Sequence, residues 1–533
     1  MQLPRSKFRA ALAFAPVACL LVGVLFFQHK GWARFTGEVN ALSLNLERPD
    51  GLIVTQSLSR LPRDLLKIPL LKDLLTDDLV FYYEHNEGYL SLSGSLRRIS
   101  FEHDLQWNDR LLETVLDAPA EVAFWRDGKN TAEYTLIAMT RNNLAKVLQQ
   151  AAMAALKDPQ LTLATHLTVD GEVIPVLALS YGRDRNLLVA AHGDRMVVLS
   201  HPDMLLSEPD KASPAAAAVV VRLLSSKGDA HQVYQRALEV PATPVVHEVV
   251  VSTDFLSFGY QHFFPGLAAL RFEFNQEAWT MHARLATPGA SALAVPAALT
   301  ALPTRPAACA ALPVDWQRLS VLSAPAGKMP QPPRFAGPVA ACWYAGAELD
   351  TPVFAAELAQ APDGASDKAL EAVFRWAVSG KDAKPEAQPA DTHLWQRRSQ
   401  TLHAPAQKGG GHYYLTSLAR KNRFVVFSPD AALVRRSLST IDHRYPSVAD
   451  GLPPDPVGTT VAVLTPKVLG MLSFEAITGV LQQASLRDAA NTQLSTRIKS
   501  LDRYPAYQLT VAAAPEQTGN WHAVRWTPLP ERP

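Results

Sequence analysis

The stretch Asp194–Leu206, DRMVVLSHPDMLL, decides our prediction of the fold, because a similar stretch, NRFVVFSPDAALV, recurs at Asn422–Val434. Each copy has an apolar run typical of a β-strand. The run must end at Pro202 or Pro429, because proline has no N–H to donate to a sheet ladder. The aspartate after each proline can accept hydrogen bonds from the free N–H groups at the start of a helix. The sequence therefore predicts the same strand–turn–helix element twice.

Three other pairs of strand-like stretches match in the same order along the chain, while the spacing between them varies. A duplication followed by changes in surface loops would give this pattern. The alternative is that four short strands can be matched by chance in any protein that mixes helices and sheet. The three pairs are Pro119–Trp125 with Pro338–Tyr344, Val249–Thr253 with Val461–Thr465, and Trp279–Pro288 with Trp521–Pro528.

We therefore predict an α+β fold: two related halves of mostly antiparallel sheet with packed helices, behind one N-terminal transmembrane helix. Apolar residues at helical spacing predict helices at Arg141–Leu156 and Ser366–Ser379. Alanine and proline dominate residues 287–313, which is typical of a linker. The predicted segments are a cytoplasmic basic tail at 1–9, a membrane anchor at 10–27, a connector at 28–45, a first half at 46–286, the linker at 287–313 and a second half at 314–533.

Composition places the chain among globular proteins and argues against nucleic-acid binding. Of the 533 residues, 48% are hydrophobic and 19% are charged, which is enough apolar material for more than one core. The 51 basic residues nearly balance the 50 acidic ones. A nucleic-acid-binding protein normally has a basic excess that neutralises phosphates. We expect no nucleic-acid partner.

The N-terminus predicts a membrane anchor. Ala10–Phe27 is an uncharged run of 18 residues, about the minimum for a helix that crosses a bilayer, and three basic residues precede it. Positive charge tends to stay in the cytoplasm. We therefore expect a single-pass bacterial inner-membrane protein whose bulk is periplasmic. Three alternatives are a signal peptide cleaved near Gly31–Ala33, a lipoprotein modified at Cys19 and a buried helix of a soluble protein, which the basic flank and the terminal position disfavour.

Two cysteines lie in the segment that we expect to be exported. Cys309 and Cys342 are 33 residues apart, and a disulfide between them would contribute about 3 kcal/mol. An oxidising envelope permits such a bond. The alternative is that Cys342, within an apolar strand, is a free buried thiol.

No motif in the sequence names a reaction. The chain lacks a phosphate-binding glycine loop, a nucleophile elbow and an H-E-x-x-H zinc-binding helix. His247 and Glu248 match the first two residues of the zinc motif, but a valine-rich strand follows them. Glu102–Asp104, Asp77–Asp78 and the glycine-rich Lys408–His412 are more typical of a solvated strand face, a turn and a hairpin tip than of sites. We predict no catalytic residue, no cofactor and no metal ligand.

Adjacent aromatic residues end two of the matched strands, Phe124–Trp125 and Trp343–Tyr344. Neighbouring residues of a strand point to opposite faces, so one ring of each pair should leave the core. We predict Trp125 and Tyr344 as possible exposed contacts for a ligand or partner. The alternative is that helices cover both faces.

The segment Ser57–Glu84, SLSRLPRDLLKIPLLKDLLTDDLVFYYE, together with the N-terminal span, resembles an uncharacterised family of bacterial single-pass inner-membrane proteins. Genes of that family typically lie beside one for a bacterial α2-macroglobulin, an envelope protein thought to trap foreign proteases. The resemblance implies a Gram-negative envelope setting and an accessory role. It carries no catalytic signature.

The function that we predict is that of a membrane-anchored periplasmic protein, non-catalytic, which binds another envelope protein or acts as a scaffold for it. An α2-macroglobulin-type protein is the partner that the resemblance implies. The alternative is an envelope hydrolase whose active site is assembled from residues distant in sequence.

Overall fold

The computed structural model of the protein describes most of the chain after residue 43. The described residues are 44–65, 67–68, 116–126, 133–140, 160–181, 185–227, 233–241, 245–256, 265–275, 278–286, 296–319, 323–324, 327–347, 351–378, 385–386, 392–400, 413–453, 458–480, 495, 498–515 and 520–530.

The chain divides into two compact units. The first comprises residues 1–259, 269–282 and 517–519, and the second comprises residues 260–268, 283–516 and 520–533. Two strands, β11 (Leu267–Asn275) and β12 (Ala278–Leu285), fall mainly in the first unit.

The first unit is built on an antiparallel sheet. Its ladders connect the strands in the spatial order β11–β10–β1–β2–β3–β7–β6–β5–β4. A separate two-stranded ladder joins β8 to β9. The strands are β1 Gly51–Thr55, β2 Ala120–Arg126, β3 Glu133–Thr140, β4 Leu161–Val169, β5 Glu172–Tyr181, β6 Arg185–His192, β7 Arg195–Leu199, β8 Leu206–Glu208, β9 Lys211–Ala212, β10 His247–Ser252, β11 Leu267–Asn275 and β12 Ala278–Leu285.

Local sequence accounts for these strands and for one of their turns. β7 (RMVVL) and β10 (HEVVVS) are rich in β-branched valine, which packs well on a pleated surface. The turn from β4 to β5 uses Asp170 and Gly171 with φ angles of 51° and 94°. Two residues with positive φ match the twist of a hairpin, and aspartate followed by glycine tolerates that conformation best.

Helices in the first unit are few and short among the described residues. α2 is amphipathic: Ala216, Val219, Val220, Leu223 and Leu224 are buried at helical spacing, and the helix packs on β4 and β7. The helices are α1 Leu61–Leu65, α2 Pro214–Leu224, α3 Val233–Ala237 and α4 Thr253–Leu256.

The second unit is also built on an antiparallel sheet. Its strands lie in the spatial order β24–β23–β22–β13–β16–β17–β21–β20–β19–β18. β14 and β15 form a separate ladder. The strands are β13 Ala308–Leu312, β14 Ser323–Ala324, β15 Gly327–Lys328, β16 Val339–Trp343, β17 Val353–Glu357, β18 Pro385–Glu386, β19 Thr392–Gln400, β20 Tyr413–Lys421, β21 Phe424–Ser428, β22 Gly458–Leu464, β23 Tyr507–Ala512 and β24 Trp521–Pro528.

Helices pack on this second sheet. α8 begins after Asp430, whose carboxylate accepts a hydrogen bond of 2.7 Å from the backbone N–H of Ala432. A second capped helix, α7, begins after Asp363, whose side chain accepts from Ser366. The helices are α5 Pro296–Thr300, α6 Trp316–Leu319, α7 Gly364–Ala377, α8 Ala431–Ile441 and α9 Pro466–Val480.

The predicted fold class, an α+β fold with packed helices and an N-terminal transmembrane helix, is wrong. The described residues are dominated by antiparallel strands, and most of their helices are only one to three turns long. No described helix is long and apolar enough to cross a membrane. The predicted span Ala10–Phe27 and the predicted helix Arg141–Leu156 lie outside the described residues. The predicted helix Ser366–Ser379 is present as a helix at Gly364–Ala377.

One predicted boundary also contains unexpected structure. Residues 308–312, inside the predicted linker 287–313, form β13, which pairs with both β16 and β22. Alanine-rich sequence is depleted in strands. Pairing on two sides therefore overrides the local preference. The remaining domain boundaries stay predictions.

The stretch that we used to predict the fold differs between its two copies. β21 leads into helix α8, as expected, but β7 leads only into a single 3-10 turn at Pro202–Met204. There the cap is His201, whose ring accepts from the backbone N–H of Asp203 at 3.2 Å. The residue without a counterpart in the second copy therefore does what we expected of Asp203.

Candidate functional site

Strand β10 carries ionisable side chains on both faces of the first unit's sheet. His247 and Glu248 are adjacent in its sequence, so they point to opposite faces. Both are buried, although the strand is otherwise mostly valine. Burial of an ionisable group is unfavourable unless partners or a change of protonation compensate it. The surroundings of these two residues are our candidate site.

On one face, Glu248 shares a row of the sheet with a second buried glutamate. Val54 of β1 pairs with Glu248 on one side and with Glu121 of β2 on the other. Only 3% of Glu121 is exposed, and 0% of Glu248. Neither carboxylate accepts a hydrogen bond of good geometry among the described residues, although the backbone N–H of Tyr234 lies near Glu121 and the side chain of Gln235 lies near Glu248. Two acids therefore flank one valine in a part of the sheet from which water is excluded.

Arg271 is a buried cation on this face. It lies on β11 opposite Val250 and is 1% exposed. Its guanidinium is 2.9 Å from a carboxylate oxygen of Glu273 and 3.7 Å from one of Glu248. The same group donates to Nδ1 of His282 at 2.9 Å. One positive charge is thus shared between two carboxylates and an imidazole, with Glu273 closer than Glu248.

Burial shifts the pKa values of Glu121, Glu248 and His282. Burial, together with the negative charge of Glu248, raises the pKa of Glu121 to about 8. The backbone N–H of Tyr234 acts in the opposite direction and lowers this pKa. Burial raises the pKa of Glu248 to about 7, against the attraction of Arg271. Burial, and then Arg271, lower the pKa of His282 to about 4. At neutral pH, Glu121 therefore holds its proton and His282 is uncharged.

Helix α3 covers this row. Its Tyr234 is fully buried and packs edge-on against Trp125, with 6.0 Å between ring centroids and 74° between ring planes. Burial raises the pKa of Tyr234, and its hydroxyl has no hydrogen-bond partner within the described part of the chain. Gln235, the next residue, approaches the carboxylate of Glu248. The helix therefore closes the row from above.

On the opposite face, His247 links a hydroxyl to a carboxylate. Its Nδ1 is 2.8 Å from Oγ1 of Thr55, and its Nε2 is 3.0 Å from Oδ2 of Asp64. Lys67 also contacts Asp64, at 2.5 Å. Burial alone would raise the pKa of Asp64, but the hydrogen bonds from Lys67 and His247 hold it below its ordinary value. The arrangement ties α1 to the ends of β1 and β10.

The order of groups at His247, carboxylate–imidazole–hydroxyl, is one that nucleophilic catalysis uses. Here Thr55 is buried, and its hydroxyl donates to the backbone carbonyl of Ser57 at 2.8 Å. A hydroxyl in this position cannot meet a substrate unless α1 moves. The contacts as they stand position α1 on the sheet.

The structure bonds the two cysteines that we singled out. Cys309 of β13 and Cys342 of β16 lie directly opposite in the ladder, 4.1 Å apart at Cα, and form a disulfide. Both residues are buried. The bond therefore crosses neighbouring strands inside the core of the second unit.

The prediction that Trp125 and Tyr344 are exposed contacts is wrong. They are 2% and 3% exposed. The indole N–H of Trp125 donates to the carbonyls of Asn45 and Arg48, and the Tyr344 hydroxyl donates to the carbonyl of Pro303 at 2.7 Å. Loops and helices that cannot be placed from strand alternation cover both rings.

The structure does not place the remaining sequence candidates. Glu102–Asp104, Asp77–Asp78 and Lys408–His412 lie outside the described residues. No group of three or more His, Cys, Asp or Glu side chains in the described ranges could hold a metal ion. The row of Glu121 and Glu248 was missed, although acids at apolar positions of two valine-containing strands were the available signal.

Sequence comparison decides the family. The model of DUF2138, described as "Uncharacterized protein conserved in bacteria", matches residues 8–526. The chain belongs to the DUF2138 family. It is 30% identical over 563 residues to "Uncharacterized protein YfaA" of Escherichia coli (strain K12), with 98% of each chain covered. No solved structure matches this DUF2138 chain.

Membership of DUF2138 confirms the resemblance to an uncharacterised bacterial family. The membrane anchor and the gene neighbourhood that the resemblance implied stay predictions. Neither the family description nor the relative's name states an activity, and family membership alone does not define a function.

Proposed function

We propose that this DUF2138 protein is an inner-membrane-anchored envelope protein whose exported body binds another envelope protein. The observation that carries the proposal is the buried disulfide between Cys309 and Cys342. Structural disulfides persist in oxidising compartments and are rare in the bacterial cytoplasm. The uncharged run Ala10–Phe27 behind a basic tail supplies the anchor that would keep the body at the membrane.

Binding rather than catalysis is proposed because the charged clusters described above close on themselves. The guanidinium of Arg271 is engaged by Glu273, and His247 by Thr55 and Asp64. An active site needs such groups where substrate can reach them. The partner that we propose is an α2-macroglobulin-type envelope protein, which rests on the family resemblance alone.

Thiol labelling in intact cells tests the compartment. The full-length chain is produced in a Gram-negative host with and without its envelope disulfide oxidase, and denatured samples are alkylated before and after reduction. We expect Cys309 and Cys342 to resist alkylation until reduction, and only when the oxidase is present. Both thiols reacting without reduction in the oxidase-containing host would contradict export.

Crosslinking in the native membrane tests the binding role. A crosslinker is applied to membranes that contain the full-length protein and a co-produced α2-macroglobulin-type protein from the same organism. A stoichiometric crosslinked pair is expected. A matched control replaces the body of the protein with an unrelated exported domain behind the same residues 1–45. Equal crosslinking of that control would contradict a role for the body.

The order of Asp64, His247 and Thr55 favours the alternative, an envelope hydrolase, as the second candidate. A fluorophosphonate probe, which labels activated hydroxyl nucleophiles, distinguishes the two. Labelling that Thr55→Ser retains and Thr55→Val abolishes would support the hydrolase. Equal background labelling of both variants would contradict it.

A further inference from the structure

Helix α3 is too short to be stable alone. It spans Val233–Ala237, a little more than one turn, and isolated helices of this length do not form in water. Contacts with the sheet must therefore hold it in place. Among them are the ring of Tyr234 against Trp125 and the approach of Gln235 to Glu248. Contacts with the row beneath the helix therefore contribute to its stability.

Side chains from seven elements lie in or around this row. β1 contributes only the apolar Val54, so the charges come from the other strands and from the helices. The titratable, charged and polar groups are Glu121 of β2, Glu248 of β10, Arg271 and Glu273 of β11, Thr280 and His282 of β12, Tyr234 and Gln235 of α3, and Arg222 of α2, which lies close enough to influence Tyr234.

The charges in this row do not balance when every carboxyl is ionised. Arg271 is closest to Glu273 and next to Glu248, so its one positive charge faces two carboxylates. Glu121 lies beyond Val54, and the polar groups that act on it are the backbone N–H of Tyr234 and the carboxyl of Glu248, neither of which is a cation. A buried carboxylate without a cation is unfavourable by several kcal/mol, and protonation removes that cost.

We propose that Glu121 and Glu248 form a proton-operated latch, in which helix α3 stays docked while these carboxyls hold protons and is released when they ionise. Ionisation would place one carboxylate on each side of Val54, directly under the helix. Water must then enter to hydrate them. Because α3 is the cover, its release lets water in and exposes the face of Trp125. The latch is a conformational response to alkaline pH and is independent of the binding role proposed above.

Hydrogen–deuterium exchange on the full-length protein tests the latch. Protection factors, corrected for the intrinsic dependence of exchange on pH, are measured by mass spectrometry between pH 6 and pH 9. We expect the protection factor of residues 233–240 to fall at least tenfold over this range in the wild-type protein. α2 and, in the second unit, α8 should keep their protection. This pattern separates local release from global unfolding.

Glutamine variants remove the titration while they keep the shape of the protonated acid. In Glu121→Gln combined with Glu248→Gln, the protection factor of residues 233–240 should be independent of pH and close to the wild-type value at pH 6. The exposed Glu208→Gln serves as the matched control and should behave as the wild type does. A flat wild-type profile, or an equal fall in the double glutamine variant, would overturn the latch.

A second measurement keeps the proposal open to test if the double variant does not fold. Infrared difference spectra of the wild-type protein between pH 6 and pH 9 report the loss of protonated carboxyl groups near 1,700 cm⁻¹ (a frequency typical of buried carboxylic acids). The spectra should show two buried carboxyls losing protons over the interval in which α3 loses protection. Retention of both protons up to pH 9 would overturn the proposal.

Discussion

The two units order their strands in the same way but stabilise equivalent positions differently. In the first unit, Leu52 of β1 faces Ala123 of β2. In the second, the corresponding ladder position pairs Cys309 with Cys342, and a covalent bond replaces the apolar contact. Ala123 of β2 and Cys342 of β16 are each followed two residues later by a buried aromatic residue, Trp125 or Tyr344. These aromatic residues show that the two ladder positions are equivalent.

The same correspondence shows where charge is present and where it is not. Equivalent positions can be counted along the ladders from these two pairs. Where the first unit has its acidic row, the second unit has small, apolar or neutral residues. The positions of Glu121 and Arg271 correspond to Ala340 and Gln508. This strand order therefore forms without charges at these positions, although β20 of the second unit carries the buried Arg420, which pairs with Asp367. The acidic row distinguishes the first unit, and buried titratable groups of that kind are enriched at functional sites.

Removal of the buried cation should have the largest effect. Arg271→Leu leaves Glu248 and Glu273 buried without their positive partner. The free energy of unfolding should fall by about 3–5 kcal/mol. Urea denaturation followed by circular dichroism gives the value. The matched change in the second unit, Gln508→Leu, removes only a neutral hydrogen bond to Thr460 and should cost about 1 kcal/mol. Equal losses would show that charge does not distinguish the units.

Loss of the disulfide should rank second. A variant with both Cys309→Ala and Cys342→Ala should lose about 3 kcal/mol of unfolding free energy, because the unfolded chain regains the freedom of the closed loop. Urea denaturation of the wild-type protein with a reductant present should reach the same midpoint as the double variant. Cys19→Ala is the control. An unchanged midpoint in the double variant would mean that the bond adds nothing to the second unit.

The pH dependence of stability should come from the first unit. The folded-state pKa of Glu121 is about 8, above its ordinary value of 4.5, so the folded protein binds more protons than the unfolded chain between these limits. The contribution to stability is complete below pH 4.5 and is lost as the pH rises to about 8, by up to about 1.4 kcal/mol per pH unit.

Urea titrations at several pH values check this prediction. The difference in unfolding free energy between the wild-type protein and Glu121→Gln should change steadily from pH 5 to pH 8, with the variant gaining relative stability at high pH. Glu208→Gln, on the surface, should show a constant difference. A constant difference for Glu121→Gln as well would mean that its carboxyl is not buried.

Removal of the capping side chain at the start of α8 or of the 3-10 turn should have the smallest effect on the free energy of unfolding. Asp430→Ala removes the cap of α8 and should cost about 1 kcal/mol. His201→Ala removes the cap of a single 3-10 turn and should cost less, because fewer backbone groups depend on it. Urea midpoints of the two variants decide the order. A larger loss for His201→Ala would reverse this part of the comparison.

Sequence patterns predicted strands better than their surroundings. The valine runs of β7, β10 and β21 were predicted because β-branched residues and a following turn are local signals. β4 was missed because a bulge between Leu163 and Thr165 interrupts its alternation. β13 was missed because ACAAL has little strand preference, and its pairing partners lie far away in sequence.

The candidate site could not be predicted from sequence patterns for a related reason. Glu121 and Glu248 are far apart in the chain and meet only because β1 lies between their strands. The cover of Trp125 by α3 has no local signature either, which made an exposed ring a reasonable but wrong expectation. Cys309 and Cys342 could be named from compartment and spacing, while their ladder position could not.

The placement of β1 and β13 constrains how this chain can be made. Each is an early strand of its sheet, yet one of its two neighbours, β10 or β22, is synthesised much later. During synthesis one side of each strand stays open, and an open strand edge attracts other chains. A cell that makes this protein must shield these half-finished sheets, so its yield should depend on holdase chaperones more than that of a protein whose strands pair in order.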